Sequence, residues 1–200
     1  MMQLRAPFDE KTVRSLGLGD IVTVTGPVVT GRDEVHIRAL ENLDKGGEIP
    51  DVLRGAVLYH CGPIMQKSDG GWTVIAAGPT TSARMNALEP RFIREFGIRA
   101  VIGKGGMSRE TAEAMKETGC VYLAATGGAA VSYAEGLGKC NGVFWEDLGM
   151  PEALWMFDAV SLGPLVVAID AEGNSLYDRV ATKVASSGII SRRSRSSDAS

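Results

Sequence analysis

The sequence predicts an α/β domain, a sheet with helices packed on it. Three observations carry that reading. Apolar and β-branched runs punctuated by Gly-Asp, Gly-Pro and Asp-Gly-Gly steps fill the first half of the chain. From Asn86 onward, strand-like runs alternate with segments of helical period. Several strand-like runs also end in loops rich in glycine or hydroxyls, the places where α/β sheets bind ligands.

Taken in order, Asp9 to Ser15 reads as a short helix, after which "GLGD" turns into the strand "IVTVTG", Ile21 to Gly26, and a second short run, "PVVTG". In "GRDEVHIRALENL", Val35, Ala39, Leu40 and Leu43 fall close to helical period, with Arg32 and Asp33 at the start. "RGAVLYHCGP" and "GWTVIAAGP" read as two strands closed by Gly-Pro, expected to pair as neighbours across the "KSDGG" turn. Helix "PRFIREFG", strand "IRAVIGKGG", helix "SRETAEAMKETG", strand "CVYLAATGG" and helix "AAVSYAEGL" follow. Trp145, Trp155 and Phe157 offer themselves as core or as partner surface, and "GPLVVAIDAEGNSLY" reads as strand, turn and further strand. One domain is expected over residues 1–180, and the Ser/Arg-rich stretch 181–200 is expected to lack order and to be solvated.

Composition sets the outer bounds. The 200 residues are 44% hydrophobic and 22% charged, with a formal net charge of −3, so nothing global argues for nucleic acid or an anionic membrane. No apolar run reaches the roughly 20 residues of a membrane span. The N-terminal stretch lacks the apolar centre of a signal peptide, and a cytoplasmic location is expected. Cys61, Cys120 and Cys140 fit neither a disulfide framework nor a zinc ribbon and are expected to be reduced core residues.

Three strand-end loops each present one cation: Arg32 in "VTGRDEVH", Arg84 in "GPTTSARM" and Lys104 in "IGKGG". Together they suit a small polyanion such as a dicarboxylate, because arginine offers a two-pronged fork and lysine a point charge. Gly103, Gly105 and Gly106 let backbone amides approach such a ligand, although the spacing is neither a Walker A loop nor G-x-G-x-x-G. A blander reading makes Thr80, Thr81 and Ser82 helix caps and Arg84 a solvated charge. "AATGGAA", Ala124 to Ala130, is as readily close packing of strand on helix as ligand contact. His36 lies one helical turn beyond Arg32 and can face the site or orient the arginine's partner, whereas His60 reads as a core or edge histidine. Asp33 can buttress Arg32 or cap the helix. No second ligand stands at a metal-binding spacing from either histidine, so no metal site is assigned.

"TGRDEVH", "GPTTSARM", "IGKGGMS", "YLAATGGAA" and "GNSLY", in that order, resemble the β part of the class I iron–sulfur fumarases and L-tartrate dehydratases, from about Ile21 to Tyr177. The resemblance implies a swivelling β/β/α domain of the fumarase C-terminal type. It also implies the β subunit of a hydro-lyase that dehydrates a 2-hydroxy dicarboxylate, malate to fumarate foremost or tartrate to oxaloacetate. The α subunit of such an enzyme carries a 4Fe-4S cluster on three cysteines, with one iron open as a Lewis acid. Heterodimers or dimers of heterodimers are expected. Carried to matching positions, Thr80 is the base at C3, and Arg32, Arg84 and Lys104 hold the carboxylates. Asp33, His36, Gly105 and Gly106 are expected to line the site, and Thr81 and Ser82 to cap the helix that follows. The other reading is a dicarboxylate-binding or regulatory module that kept the fold without the chemistry.

Overall fold

The computed structural model describes residues 1–186. In chain order these form β1 (Met2–Arg5), α1 (Glu10–Arg14), β2 (Ile21–Thr30), α2 (Asp33–Lys45), β3 (Val57–Tyr59), β4 (Ile64–Ser68), β5 (Gly71–Ala76) and α3 (Glu89–Phe96). Then follow β6 (Ala100–Gly103), α4 (Arg109–Thr118), β7 (Val121–Ala124), α5 (Ala130–Leu137), β8 (Lys139–Phe144), β9 (Leu154–Ile169) and α6 (Leu176–Ser186).

The larger sheet runs β1-β2-β3-β6-β7-β9-β8, and an additional β2–β9 pairing closes β2, β3, β6, β7 and β9 into a small mixed barrel of five strands. β2, β3, β6 and β7 are mutually parallel, whereas β9 runs antiparallel to both β2 and β7. β9 closes the ring because its 16 residues are long enough to serve two neighbours on one edge, β8 near its start and β7 at its end.

Strand alternation divides the interior in two. Val57, Tyr59, Ala100, Ile102, Val121 and Leu123 join β2, β9 and α5 in one core. Their sequence neighbours Leu58, Val101 and Tyr122 point the other way, into a second core with α2, α3 and α4. A one-residue slip of β6 would exchange the two sets, so burial on both faces fixes the register. Trp155 and Phe157 are buried on β9, and Trp145 packs partly against the second core.

Three expectations need correction. The strand in "RGAVLYHCGP" does not pair with "GWTVIAAGP" beyond an isolated Cys61–Pro79 bridge. β5 instead pairs antiparallel with β4, the segment "IMQKS", with Ser68 facing Gly71 across an Asp69-Gly70 turn of the kind that closes tight hairpins. After "DAEGN" the chain forms helix, not strand. The Asp170 carboxylate gathers the backbone N–H groups of Glu172 and Asn174, and Ser175 Oγ accepts from Asp178 N–H at 3.4 Å, which starts α6. α6 also continues through residues 181–186, where the sequence suggests no order; the rest of that stretch lies outside the described residues.

Candidate active site

Loops that follow the parallel strands β2, β3 and β6 meet at one rim of the barrel. Arg32 occupies the N-cap position of α2 directly after β2, and its Nη2 lies 3.1 Å from Glu152 Oε1. The other oxygen of Glu152 accepts from Glu34 N–H at 3.3 Å, so one carboxylate ties the helix start to the arginine. The guanidinium lies against Gly62: a Cβ there would stand 2.8 Å from Arg32 Nη1 and 2.6 Å from the Pro151 carbonyl oxygen. Asp33 neither caps α2 nor holds Arg32; its Oδ2 pairs with Arg84 Nη2 at 2.9 Å.

Backbone pairing brings Thr80 and Lys104 together. Thr80 N–H donates to the His60 carbonyl at 2.7 Å, its own carbonyl accepts from Lys104 N–H at 3.3 Å, and Ser82 N–H returns to the Lys104 carbonyl at 2.9 Å. "TTS" therefore lies as a short parallel ribbon on the end of β6, and the 3₁₀ turn Ser82–Met85 then presents Arg84. Gly105 and Gly106 have φ of +82° and +75°, a region closed to most side chains, and Tyr177 from α6 rests against Gly106. Of the three cations, Lys104 alone has no carboxylate partner among the described residues.

Beneath the rim runs a fully buried polar network. His36 Nδ1 bonds the Arg32 carbonyl at 2.7 Å, and its Nε2 lies 2.9 Å from Glu89 Oε2. His60 Nε2 approaches the same oxygen at 3.0 Å, while His60 Nδ1 meets Ser82 Oγ at 2.9 Å. Ser82 Oγ accepts from the Tyr122 hydroxyl at 3.0 Å. The protons follow from the partners. A carbonyl only accepts, so His36 Nδ1 carries a proton; Nε2 facing a carboxylate needs another, which makes His36 an imidazolium. His60 is neutral, accepting the Ser82 hydroxyl proton at Nδ1, so its own proton sits on Nε2, which lies 3.0 Å from Glu89 Oε2 as an electrostatic contact outside hydrogen-bond geometry. The electrostatics agree. Burial pushes Glu89 up, but the two histidines outweigh it and hold the carboxyl at about 2. Burial pushes His36 down, yet the Glu89 charge leaves it above its ordinary value, whereas for His60 burial prevails and leaves it lowered.

Thus the rim gathers Thr80, Arg84, Lys104 and Arg32, with Asp33, Gly105 and Gly106 beside them. His36 lies below the rim and fully buried, holding the arginine's backbone rather than lining the surface. Neither Thr81 nor Ser82 is a cap. The 3₁₀ turn has no side-chain cap bond, because the Ser82 hydroxyl is committed to His60 and Tyr122. Gly127 and Gly128 face open space, so close packing does not explain "AATGGAA". Sequence reading missed Glu89, Glu152, Gly62 and Tyr122. Glu89, just before Pro90, looks like any acid in a helix's first turn.

His36, His60 and Glu89 have the donor types of a metal site, with ligand atoms within 4.8 Å of one another. Both Nε2 atoms, however, crowd one oxygen at 2.9 and 3.0 Å, and a proton accounts for the His36 contact. An iron–sulfur cluster does not fit this chain's thiols. Cys61 and Cys120 are buried in different cores, and burial raises both thiols and Cys140, opposite to what a thiolate ligand needs.

Residues 1–180 match the Fumarase C-terminus family. Over 176 residues, 88% of this chain and 90% of the relative, the sequence is 43% identical to a Methanocaldococcus jannaschii protein provisionally named L(+)-tartrate dehydratase subunit beta. It is 38% identical over 173 residues to the Escherichia coli L(+)-tartrate dehydratase subunit beta, covering 86% of this chain and 85% of that one. It is also 42% identical over 181 residues to a Geobacillus stearothermophilus protein provisionally named fumarate hydratase class I, spanning 90% of this chain and 34% of that protein. On this match, and with the strand-end loops that carry the resemblance gathered on one rim, the chain belongs to the fumarase C-terminal family of hydro-lyase subunits.

Proposed function

We propose that this chain is the β subunit of an iron–sulfur hydro-lyase that reversibly dehydrates a 2-hydroxy dicarboxylate, malate to fumarate or tartrate to oxaloacetate. It acts with an α subunit, as a heterodimer or a dimer of heterodimers. The observation that carries the reading is the rim itself. Two guanidinium groups there already hold carboxylates of this chain, at 3.1 and 2.9 Å, and a lysine beside them has none. A diacid's two ends would take over those contacts, since charge-assisted pairs of this kind are about twice as strong as neutral hydrogen bonds.

The 4Fe-4S cluster belongs to the α subunit in this reading, and the work of this chain is to bind, orient and move a proton. Arg32, Arg84 and Lys104 hold the carboxylates. Thr80, as an alkoxide whose own proton has passed to an acidic group of the α subunit, takes the C3 proton at Oγ as the C2 hydroxyl leaves, and the neighbouring cations Lys104 and Arg84 lower the cost of that alkoxide. The backbone bonds to His60 and Lys104 hold Thr80 on both sides, so its hydroxyl meets the substrate from a rigid base. The swivelling character of a β/β/α domain fits the same proposal, the rim closing on the α subunit as the domain turns.

The test is anaerobic reconstitution with the α subunit, followed by fumarate or oxaloacetate formation and deuterium exchange at C3. Thr80→Val keeps shape and branching, so exchange should vanish while the melting temperature holds. Exchange at the parent rate would return Thr80 to a structural role. A wild-type complex that dehydrates neither substrate would overturn the assignment.

A further inference from the structure

We propose that Glu89, acting through His36 and His60, is the positioning group of the carboxylate-binding rim. One buried carboxylate oxygen holds the loops of Arg32, Thr80 and Lys104 in a common geometry. The kinetic part of this inference rests on the function proposed above; the charge arrangement does not.

Glu89 stands at the centre of the buried network. Its Oε2 bonds His36 Nε2 and lies 3.0 Å from His60 Nε2, and among the described residues neither that His60 nitrogen nor Glu89 Oε1 has a hydrogen-bond partner. A core needing only cohesion would be served as well or better by apolar side chains, since desolvating an ion pair often costs more than the attraction returns. What the charged trio adds is reach. Through His36 it fixes the Arg32 peptide, and the guanidinium Nε of that arginine is itself buried and, among the described residues, without a hydrogen-bond partner. Through His60 it fixes two further loops. The His60 carbonyl holds Thr80 N–H at 2.7 Å, and His60 N–H bonds the Ile102 carbonyl at 2.8 Å, two residues before Lys104. The His60 ring also fixes Ser82, whose own N–H bonds the Lys104 carbonyl.

The groups that face Glu89 come from three places in the fold. His36 lies on α2 and His60 follows β3, with Asp33 at the start of α2 and Cys120 before β7 acting at longer range. Ser82 and Tyr122 complete the network beyond His60. Glu89→Gln keeps the shape and deletes the charge. His36 then has no reason to keep two protons, and its hold on the Arg32 carbonyl becomes one of two competing tautomers.

The experiment has two arms. Ring ¹⁵N spectra of the full-length chain near neutral pH should show one buried imidazolium and one neutral histidine, and Glu89→Gln should make both neutral. In the reconstituted α/β complex, Glu89→Gln should lower kcat/KM for the dicarboxylate by about tenfold or more, chiefly through KM. Phe96→Leu, a buried change on the same helix, controls for lost stability and should leave KM within about twofold. If Glu89→Gln does not fold, Glu89→Asp keeps the charge but withdraws it by one carbon and enters the same comparison. Two neutral rings in the wild type would overturn the inference, as would equal kinetic losses in the Glu89 and Phe96 variants. A wild-type complex without hydro-lyase activity would defeat the functional reading alone, and the spectra would still decide the charge arrangement.

Discussion

Ser82→Ala separates two accounts of the segment "GPTTSARM". In the structure Ser82 Oγ stands between His60 Nδ1 at 2.9 Å and the Tyr122 hydroxyl at 3.0 Å, in a site with no solvent exposure. Removing that oxygen takes the partner from one acceptor, His60 Nδ1, and one donor, the Tyr122 hydroxyl. Each buried unsatisfied group costs about 1 to 3 kcal/mol, so the pair should cost roughly 2 to 6 kcal/mol. Loss of a helix cap would cost about 0.5 to 2 kcal/mol. For a domain of this size the larger figure corresponds to a fall in melting temperature on the order of 5 to 20 °C. Calorimetry and urea unfolding of the full-length chain would measure it, beside Thr81→Ala, an exposed change expected to stay within about 0.5 kcal/mol. Gly103→Ala should mimic Ser82→Ala, because its Cβ would stand 2.0 Å from the Ser82 oxygen and evict it. The double variant should cost less than the sum, since the new methyl fills the vacated space. A loss below about 1 kcal/mol for Ser82→Ala, or an equal loss for Thr81→Ala, would refute the network account.

The remaining expectations concern the rim and its charge. Gly62→Ala must displace Arg32 or the Pro151 carbonyl, costing about 1 to 3 kcal/mol, and should raise KM for the diacid in the reconstituted complex; an unchanged KM would mean the arginine's seat does not matter. Arg84→Lys keeps the charge but loses the fork, so turnover should drop sharply while the thermal melt is unaltered; parent-like kinetics would make Arg84 a surface residue paired only with Asp33. The stability gap between wild type and Glu89→Gln should depend on pH. His36 is raised above 6.5, so its contribution is complete below 6.5 and fades as pH rises through the folded value. Glu89 is depressed from 4.5 to about 2, so its contribution is complete above 4.5 and fades as pH falls toward 2. His60 is lowered by burial against the Glu89 charge that raises it, so losing that charge lowers it further and widens the gap on the same acid side of 6.5. The gap should therefore be widest between 4.5 and 6.5, and a gap that is flat with pH would contradict the charge assignment.

Most of the fold was legible because its elements announce themselves locally. α4 is capped by Ser108 and closed by Gly119, and β6 and β7 are short apolar runs bounded by glycines. β4 escaped notice for a physical reason. It buries a single residue, Met65, so it carries no alternation, and only its Asp69-Gly70 turn shows in the sequence. α6 reads as strand from "GNSLY" because that stretch is too short to show helical period, while its real instruction lies in Asp170 and Ser175. Closure of the barrel by β2 and β9 pairs Ile21 with Val166, a contact that no local pattern could reveal.

The site divides the same way. Glycines and strand ends flag Arg32, Arg84 and Lys104 individually, whereas the network that holds them is made of contacts 53, 22 and 40 residues apart. Each member also has an ordinary local reading, as cap, first-turn acid or core aromatic. Yet the network answers a question that the visible motif leaves open, namely what sets the register of "TTS" against "GKG". Backbone pairing alone would tolerate a slip of one residue, because every rung offers the same amide and carbonyl. Ser82 removes that freedom. Its oxygen is pressed against Gly103, where a side chain on the glycine would collide with it. Its hydroxyl finds both partners only in the observed register. Thr80 thus stands on the rim because the residue two places on is locked beneath it.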